Sequence, residues 1–305
     1  MSREPAPVFA LDGGKVLGYV GAMSRQADRS AAHPVVGRPT GNERKSSDFV
    51  QSLDRGLAVI RAFGPDRDRL TLSEVARETG LTRAAARRFL LTLVALGYVR
   101  NDGKEFSLGP RVLELGYSYL SSMRLPDVAQ PHVEELVAEV RESSSISVLD
   151  GDDVVDIVRV PAKRIMTVSV PVGTRFRAHA SSKGRVLLAS LSEAELDAFL
   201  AEARLDGLTS HTVTDPERLR SLLAEVRAQG YAIVDEEVEE GVRSVAVPLR
   251  DAAGTVIAAI NVSSYASRVS VDAVERDVLP RLLATAAQIE ADLRAQGTQR
   301  PGRPL

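Results

Sequence analysis

The sequence has no cysteine and no tryptophan, and aromatic residues make up only 4% of it. Without cysteine there can be no disulfide framework, no thiolate metal site and no thiol nucleophile, which fits a reducing cytoplasm. With so few aromatics, the core must be built mostly from Leu, Val, Ile and Ala. No apolar run approaches the roughly 18 residues of a membrane span, and Val256–Val262 has only the length of a core strand. A basic segment followed by an apolar one, the mark of a secretory signal, is missing from the N-terminus. There is no G-x-S-x-G elbow, no P-loop and no G-x-G-x-x-G loop, so the common hydrolase and nucleotide chemistries have no carrier. His33, His132, His179 and His211 are scattered without metal-ligand spacing. The acidic run Asp235–Glu240 reads as a solvated loop. No cofactor and no metal is expected.

What is present is a chain of 305 residues, 44% apolar and 26% charged, enough for about two domains. Its net charge of −2 hides an asymmetry. Residues 1–47 carry a surplus of three positive charges and 48–110 a surplus of two, whereas 111–305 carry a surplus of seven negative charges. The basic end suits a polyanion, and the acidic bulk does not. Residues 1–47, rich in Gly, Pro, Ser and Arg, read either as a disordered tail or as an over-long start with Met23 as the initiator. Residues 297–305 read as a second tail.

From Ser52 the spacing of Leu53, Leu57, Ile60 and Phe63 predicts a helix ended by Gly64-Pro65. Thr71 and Glu74 form a capping box that opens a short helix with Leu72, Val75 and Ala76 on one face. Gly80 permits a sharp turn, and Thr82 caps the next helix, whose buried stripe is Ala86, Phe89, Leu90, Leu93 and Val94. Tyr98–Arg100 and Phe106–Leu108 flank a turn at Asn101–Lys104, which predicts a β-hairpin. From Thr82 to Asn101 there are four arginines and no acid. Arg83 and Arg87 lie one turn apart, with Arg88 beside them and small Ala84 letting the backbone approach a partner. This is a helix-turn-helix with a basic face suited to the major groove and a hairpin wing whose tip carries Lys104. The candidate DNA-contacting residues are Thr82, Arg83, Ala84, Arg87, Arg88 and Lys104; Asp102 and Glu105 should weaken the wing's contact.

A helix with Val112, Leu113, Tyr117 and Leu120 on its apolar face follows, until Pro126 interrupts it. Beyond Val128 strands and helices mix. Strands are expected near 146–149, 154–160, 165–170, 231–234, 244–249 and 256–262, and helices near 128–142, 182–191, 192–203, 214–230 and 271–294. The architecture expected is α+β: a winged helix-turn-helix over 48–110, a linker helix over 111–127 and a ligand-sensor-sized unit over 128–296.

The segments Ser52–Ile60, Leu72–Ala76, Gly80–Arg83, Gly97–Val99, Phe106–Gly109, His179–Leu188, Gly230–Glu237 and Gly241–Pro248 together resemble an IclR-type transcription regulator, over about 48–295. The resemblance implies a winged helix-turn-helix joined by a linker helix to a GAF-like effector-binding domain. It also implies a homodimer or tetramer on a palindromic double-stranded DNA operator. Arg159–Met166, Val172–Arg175 and Gly184–Leu188 resemble the branch that controls aromatic-acid catabolism through the β-ketoadipate route. The implied effector is a small organic acid, aromatic or β-ketoadipate. The resemblance places its site at the start of the 182–191 helix, with His179, Ser181, Ser182 and Lys183, and on facing strands, with Asp235, Ser244, Asn261 and Ser263. Lys183 departs from the apolar Met that the resemblance implies. Free N–H groups at a helix start favour a carboxylate, while each residue taken singly also reads as a cap, a satisfied strand hydroxyl or a structural histidine. The competing expectation is a small-molecule-processing enzyme carrying a winged-helix interaction module.

Overall fold

A computed structural model of the chain describes residues 49–64, 67–163 and 170–297. The expectations for 1–47, for most of a strand at 165–170 and for the tail beyond 297 lie outside the described residues. The first unit comprises α1 (Gln51–Arg61), β1 (Arg69–Thr71), α2 (Leu72–Thr79), α3 (Arg83–Ala95), β2 (Val99–Asn101) and β3 (Glu105–Leu108). At the capping box, Thr71 Oγ1 accepts from the Glu74 N–H at 3.4 Å and the Glu74 carboxylate accepts from the Thr71 N–H at 2.7 Å. These bonds satisfy donors that a helix start leaves free. Gly80 turns the chain with φ +66°, and Leu81 N–H closes the turn on Ala76 O at 3.0 Å. Thr82 then caps α3 by accepting from Ala85 N–H at 3.2 Å. Val59, Phe63, Leu70, Val75, Ala86, Leu90, Leu93, Val99 and Phe106 form the core of this unit.

The short strand β1 was not anticipated, because three residues are too few to show alternation. It pairs antiparallel with β3, so the wing is a three-stranded sheet in the order β1-β3-β2. Gly109 returns the chain against Tyr98 and Gly97, where a Cβ would collide with the Gly97 carbonyl.

α4 (Val112–Ser122) leads to α5 (Leu125–Val140). The linker therefore ends sooner than 127: Pro126 opens α5 rather than interrupting a pattern, since a first-turn proline lacks only an N–H that would be unpaired anyway. The second unit is built on six antiparallel strands in the order β6-β5-β4-β9-β8-β7. They are β4 (Ser143–Asp150), β5 (Asp153–Val160), β6 (Arg175–Arg177), β7 (Ala232–Asp235), β8 (Val242–Arg250) and β9 (Val256–Tyr265). β6 was missed for the same reason as β1. Chain reversals at Gly230 and Gly254 use φ +82° and +84°, as their positions imply.

The two faces of the sheet differ. One packs Ile146, Val158, Val245, Val247, Ile260 and Val262 against α5 and the C-terminal helix α9 (Leu279–Gly297), which runs past the expected end near 294 into the segment read as a tail. The other packs Val154, Ala232, Ala246 and Ala259 against α6 (Ser182–Ala189), α7 (Glu193–Glu202) and α8 (Pro216–Gln229). α6 is buried along its whole length. Its close approach depends on Gly184, where a Cβ would overlap the Ala178 backbone.

Candidate DNA-reading surface and effector site

On α3, Thr82, Arg83, Ala84, Arg87 and Arg88 are exposed, and so are Arg100 and Lys104 on the wing. Among the described residues Arg83, Arg87, Arg88 and Arg100 have no acidic partner, whereas Arg67 and Arg69 are paired with Glu78 and Asp102 at 2.6 and 2.8 Å. The acids of the wing are thus largely spent within it. The Asp102 carboxylate accepts from the Glu105 and Lys104 N–H groups at 2.8 and 3.0 Å and binds Arg69, bonds that hold it below its usual pKa. The basic residues of α3 remain free for a polyanion.

In the second unit α6 meets the sheet over a cluster of polar side chains. Ser182 Oγ donates to Ser244 Oγ at 2.9 Å. Asn261 Oδ1 accepts from Ser145 N–H and Oγ at 3.2 and 2.8 Å, and its Nδ2 donates to Ser263 Oγ at 2.9 Å. Lys183, the departure from the family pattern, is fully engaged: Nζ bonds the Asp156 carboxylate, donates to Ser145 Oγ at 3.0 Å and lies 4.7 Å from the Phe176 ring centre. Burial pulls the Lys183 pKa down, and Asp156 opposes that pull. Asp156 is itself fully buried, bonded also by Ser147 Oγ at 2.5 Å and by Arg159 at 3.2 Å.

Asp156 and Arg159 share this face only because of a bulge. Ser147 opposes Asp156 while Ile146 opposes Val158, so one extra residue is inserted at Ile157. Strict alternation would have sent positions three apart to opposite faces.

Three expected residues are not brought to the cluster. His179 turns Nε2 to the Asp206 carbonyl at 3.1 Å, so it ties down the chain at Asp206. Burial keeps its pKa below 6.5, aided by Arg185 and Arg177 and opposed by the bond to Asp206. Ser181 is the cap of α6, accepting from Gly184 N–H at 3.1 Å. Asp235 pairs across to Arg243, at 2.8 and 2.7 Å, on the opposite face of the sheet from Ser244. Its placement on the effector side is corrected by the strand parity. Conversely Ser145, Ser147, Asp156, Arg159 and Phe176 join the cluster without having been singled out in the sequence. The signal was there in the alternating serines of Ser143–Ser147 and in an acid inside the apolar run Val154–Val160. A cavity of about 320 Å³ lies elsewhere, against Val186, Val226, Arg227 and Pro248. None of the candidate residues lines it, and Arg227 there is already bonded to Ala189 O, Leu191 O and Glu193. Among the described residues no group of acids and histidines is arranged to hold a metal, and no helix is long and apolar enough to cross a membrane.

Residues 52–103 match the IclR helix-turn-helix domain, and residues 117–291 match the bacterial transcriptional regulator IclR C-terminal domain. The chain belongs to the IclR family. It is therefore a transcriptional regulator with an N-terminal helix-turn-helix and an α+β C-terminal domain, and the enzyme reading is not supported. The chain is 41% identical to the Pca regulon regulatory protein of Pseudomonas putida over 87% of its length and 93% of that protein's. It is 38% identical to the p-hydroxybenzoate hydroxylase transcriptional activator of Acinetobacter baylyi, over 84% and 97% of the two chains. Among solved structures, a transcriptional regulator of Rhodococcus sp. RHA1 superposes with TM-score 0.72 at 55% identity, covering 80% of this chain and 98% of that one. An IclR homologue of Microbacterium hydrocarbonoxydans, complexed with 4-hydroxybenzoate, superposes with TM-score 0.69 at 32% identity over 80% and 99% of the two chains. The resemblance to the aromatic-acid branch thus extends to whole-length relatives.

Proposed function

We propose that this IclR-family protein is a cytoplasmic, ligand-responsive regulator of aromatic-acid catabolic genes. Its operator-reading part is the winged unit of 48–110, α4 is the connection, and the unit from α5 onward is the sensor of a small carboxylate. In the operator complex Arg83, Arg87 and Arg88 enter the major groove from α3, Thr82 and Ala84 sit at its start against the backbone, and Lys104 reaches a neighbouring phosphate from the wing. In the sensor Ser182, Ser244, Asn261 and Ser263 form the polar wall, and Lys183 holds it from behind through Ser145 and Asp156. The observation that carries the sensing role is this buried polar cluster beneath α6, in a sheet face otherwise lined by Val and Ala. The relatives that regulate pca genes and p-hydroxybenzoate hydroxylase, and the homologue holding 4-hydroxybenzoate, support the choice of effector class.

A homodimer on a palindrome belongs to the same reading. α4 leaves Leu113 and Tyr117, one turn apart, 73% and 72% exposed, and Leu53 of α1 is also bare. Apolar surface of this extent on regular helices is the mark of a contact face. Sedimentation at micromolar concentration checks it, with a monomer as the adverse result. The functional test is a gel shift with the DNA upstream of the gene: a retarded band is expected, and no retardation with or without aromatic acids would overturn the proposal.

A further inference from the structure

The buried cluster beneath α6 has an unbalanced charge. Among the described residues two cations, Lys183 and Arg159, meet one anion there, Asp156. Lys183 is 5% exposed and its ammonium is committed to Asp156, Ser145 and the face of Phe176. It has nothing left to offer a ligand. Arg159 differs. Its side chain is 18% exposed, and among the described residues it spends a single N–H, on Asp156. A guanidinium carries five donors in a planar fork, so most of that fork is unspent.

The half-buried Ser143, Ser263 and Ser244 stand in register in the neighbouring row of the same sheet face. Arg159, Ser145 and Asn261 stand in register across β5, β4 and β9. At about 4.8 Å per strand they span roughly 10 Å, the reach of one substituted ring or a six-carbon chain. At the far end Ser244 Oγ accepts from Ser182 and Ser263 Oγ accepts from Asn261. Each of those two hydroxyls keeps its own O–H to donate. The face thus offers a cationic fork at one end and hydroxyl donors at the other. A cation partly withdrawn from water and without a full counter-charge is costly, and a carboxylate supplies both the charge and the matching two-oxygen geometry.

We propose that Arg159 is the residue that takes the effector's carboxylate, and that the Lys183–Asp156 pair positions it rather than binding the ligand. The proposal rests on the reading of this domain as an organic-acid sensor. It names the shared chemistry, a carboxylate about one ring or one short chain away from a second oxygen, whether the source is a hydroxybenzoate or an aliphatic keto acid.

The test is calorimetric titration of the full-length wild type and of R159Q with 4-hydroxybenzoate, protocatechuate, β-ketoadipate and the uncharged 4-hydroxybenzamide. Wild type is expected to bind at least one acid, and to bind the amide at least tenfold more weakly than any hydroxybenzoate it accepts. R159Q is expected to lose at least tenfold in affinity for the acid and to erase the preference for acid over amide, which a merely structural role would leave in place. Its melting temperature should hold, because Asp156 keeps Lys183 and Ser147. Should R159Q nevertheless melt early, R159K decides: it keeps the charge but not the fork, and it should weaken acid binding. Unchanged acid affinity in R159Q or R159K overturns the assignment to Arg159 alone. A wild type that binds none of the acids overturns the sensor reading, and this assignment with it.

Discussion

At Lys183 the family pattern implies an apolar side chain, and the structure shows what the substitution entails. A charge at a site that is nearly closed to water is tolerated only with a partner, and Asp156 lies on the facing strand to provide one. The two positions must therefore be read together. Lys183→Met alone leaves Asp156 with Arg159 and Ser147, and is expected to lower stability in urea unfolding by about 3 kcal/mol, the low end for breaking a buried pair. Lys183→Met with Asp156→Leu should recover most of that loss, since an apolar pair can replace a buried ionic one. A single variant as stable as wild type would contradict this account. Sequence alone showed Lys183 but not its partner, because the bulge at Ile157 decides which strand residues face it.

His179 shows the reverse case, a residue that the family resemblance offered to the ligand and the fold uses for itself. Its pKa in the folded chain lies below the ordinary 6.5, first because of burial. Below pH 6.5 the unfolded chain takes up a proton that the folded chain resists, so stability falls as pH drops from 6.5 toward the folded value. Melting temperatures from about pH 7.5 to 5.5 should therefore decline more steeply for wild type than for His179→Gln. Parallel slopes would remove His179 from the explanation.

At the scale of elements, the capping residues carried most of what could be foreseen. Thr71 and Thr82 begin α2 and α3 through the bonds their types imply, and Gly80 and Gly230 end helices in the left-handed region. Elements of three residues, β1 and β6, were invisible because tertiary pairing makes them, not periodicity. The boundary between α4 and α5 was displaced because Pro126 can begin a helix as well as break one. α3 is the element whose function is most exposed to test. Its arginines take no part in the core, so Arg83→Ala with Arg87→Ala should leave the melting temperature unchanged. Operator affinity should fall by about 1–3 kcal/mol for each arginine that reads a guanine. Where the arginines contact phosphate, the slope of affinity against salt should drop by about one for each. Fluorescence anisotropy at two salt concentrations measures both, and an unaltered binding curve would show that α3 does not face DNA.

For the whole molecule, the relevant quantity is the coupling between the winged unit and the sensor. An acid that binds the DNA-competent and incompetent forms equally shifts nothing, however tightly it binds. The charge pattern fits this division of labour: a basic first part that meets the polyanion and an acidic remainder that stays off it. Arrangement in one chain does not by itself create coupling, which is a free energy between two sites and reciprocal between them. The decisive measurement is the dissociation constant for upstream DNA at fixed salt, with and without saturating acid, using an acid already shown by calorimetry to bind. A change of about 5-fold or more is expected, the ordinary range of allosteric coupling, with a matching change in acid affinity when DNA is bound. An acid that binds the protein but leaves the DNA dissociation constant unaltered would contradict it.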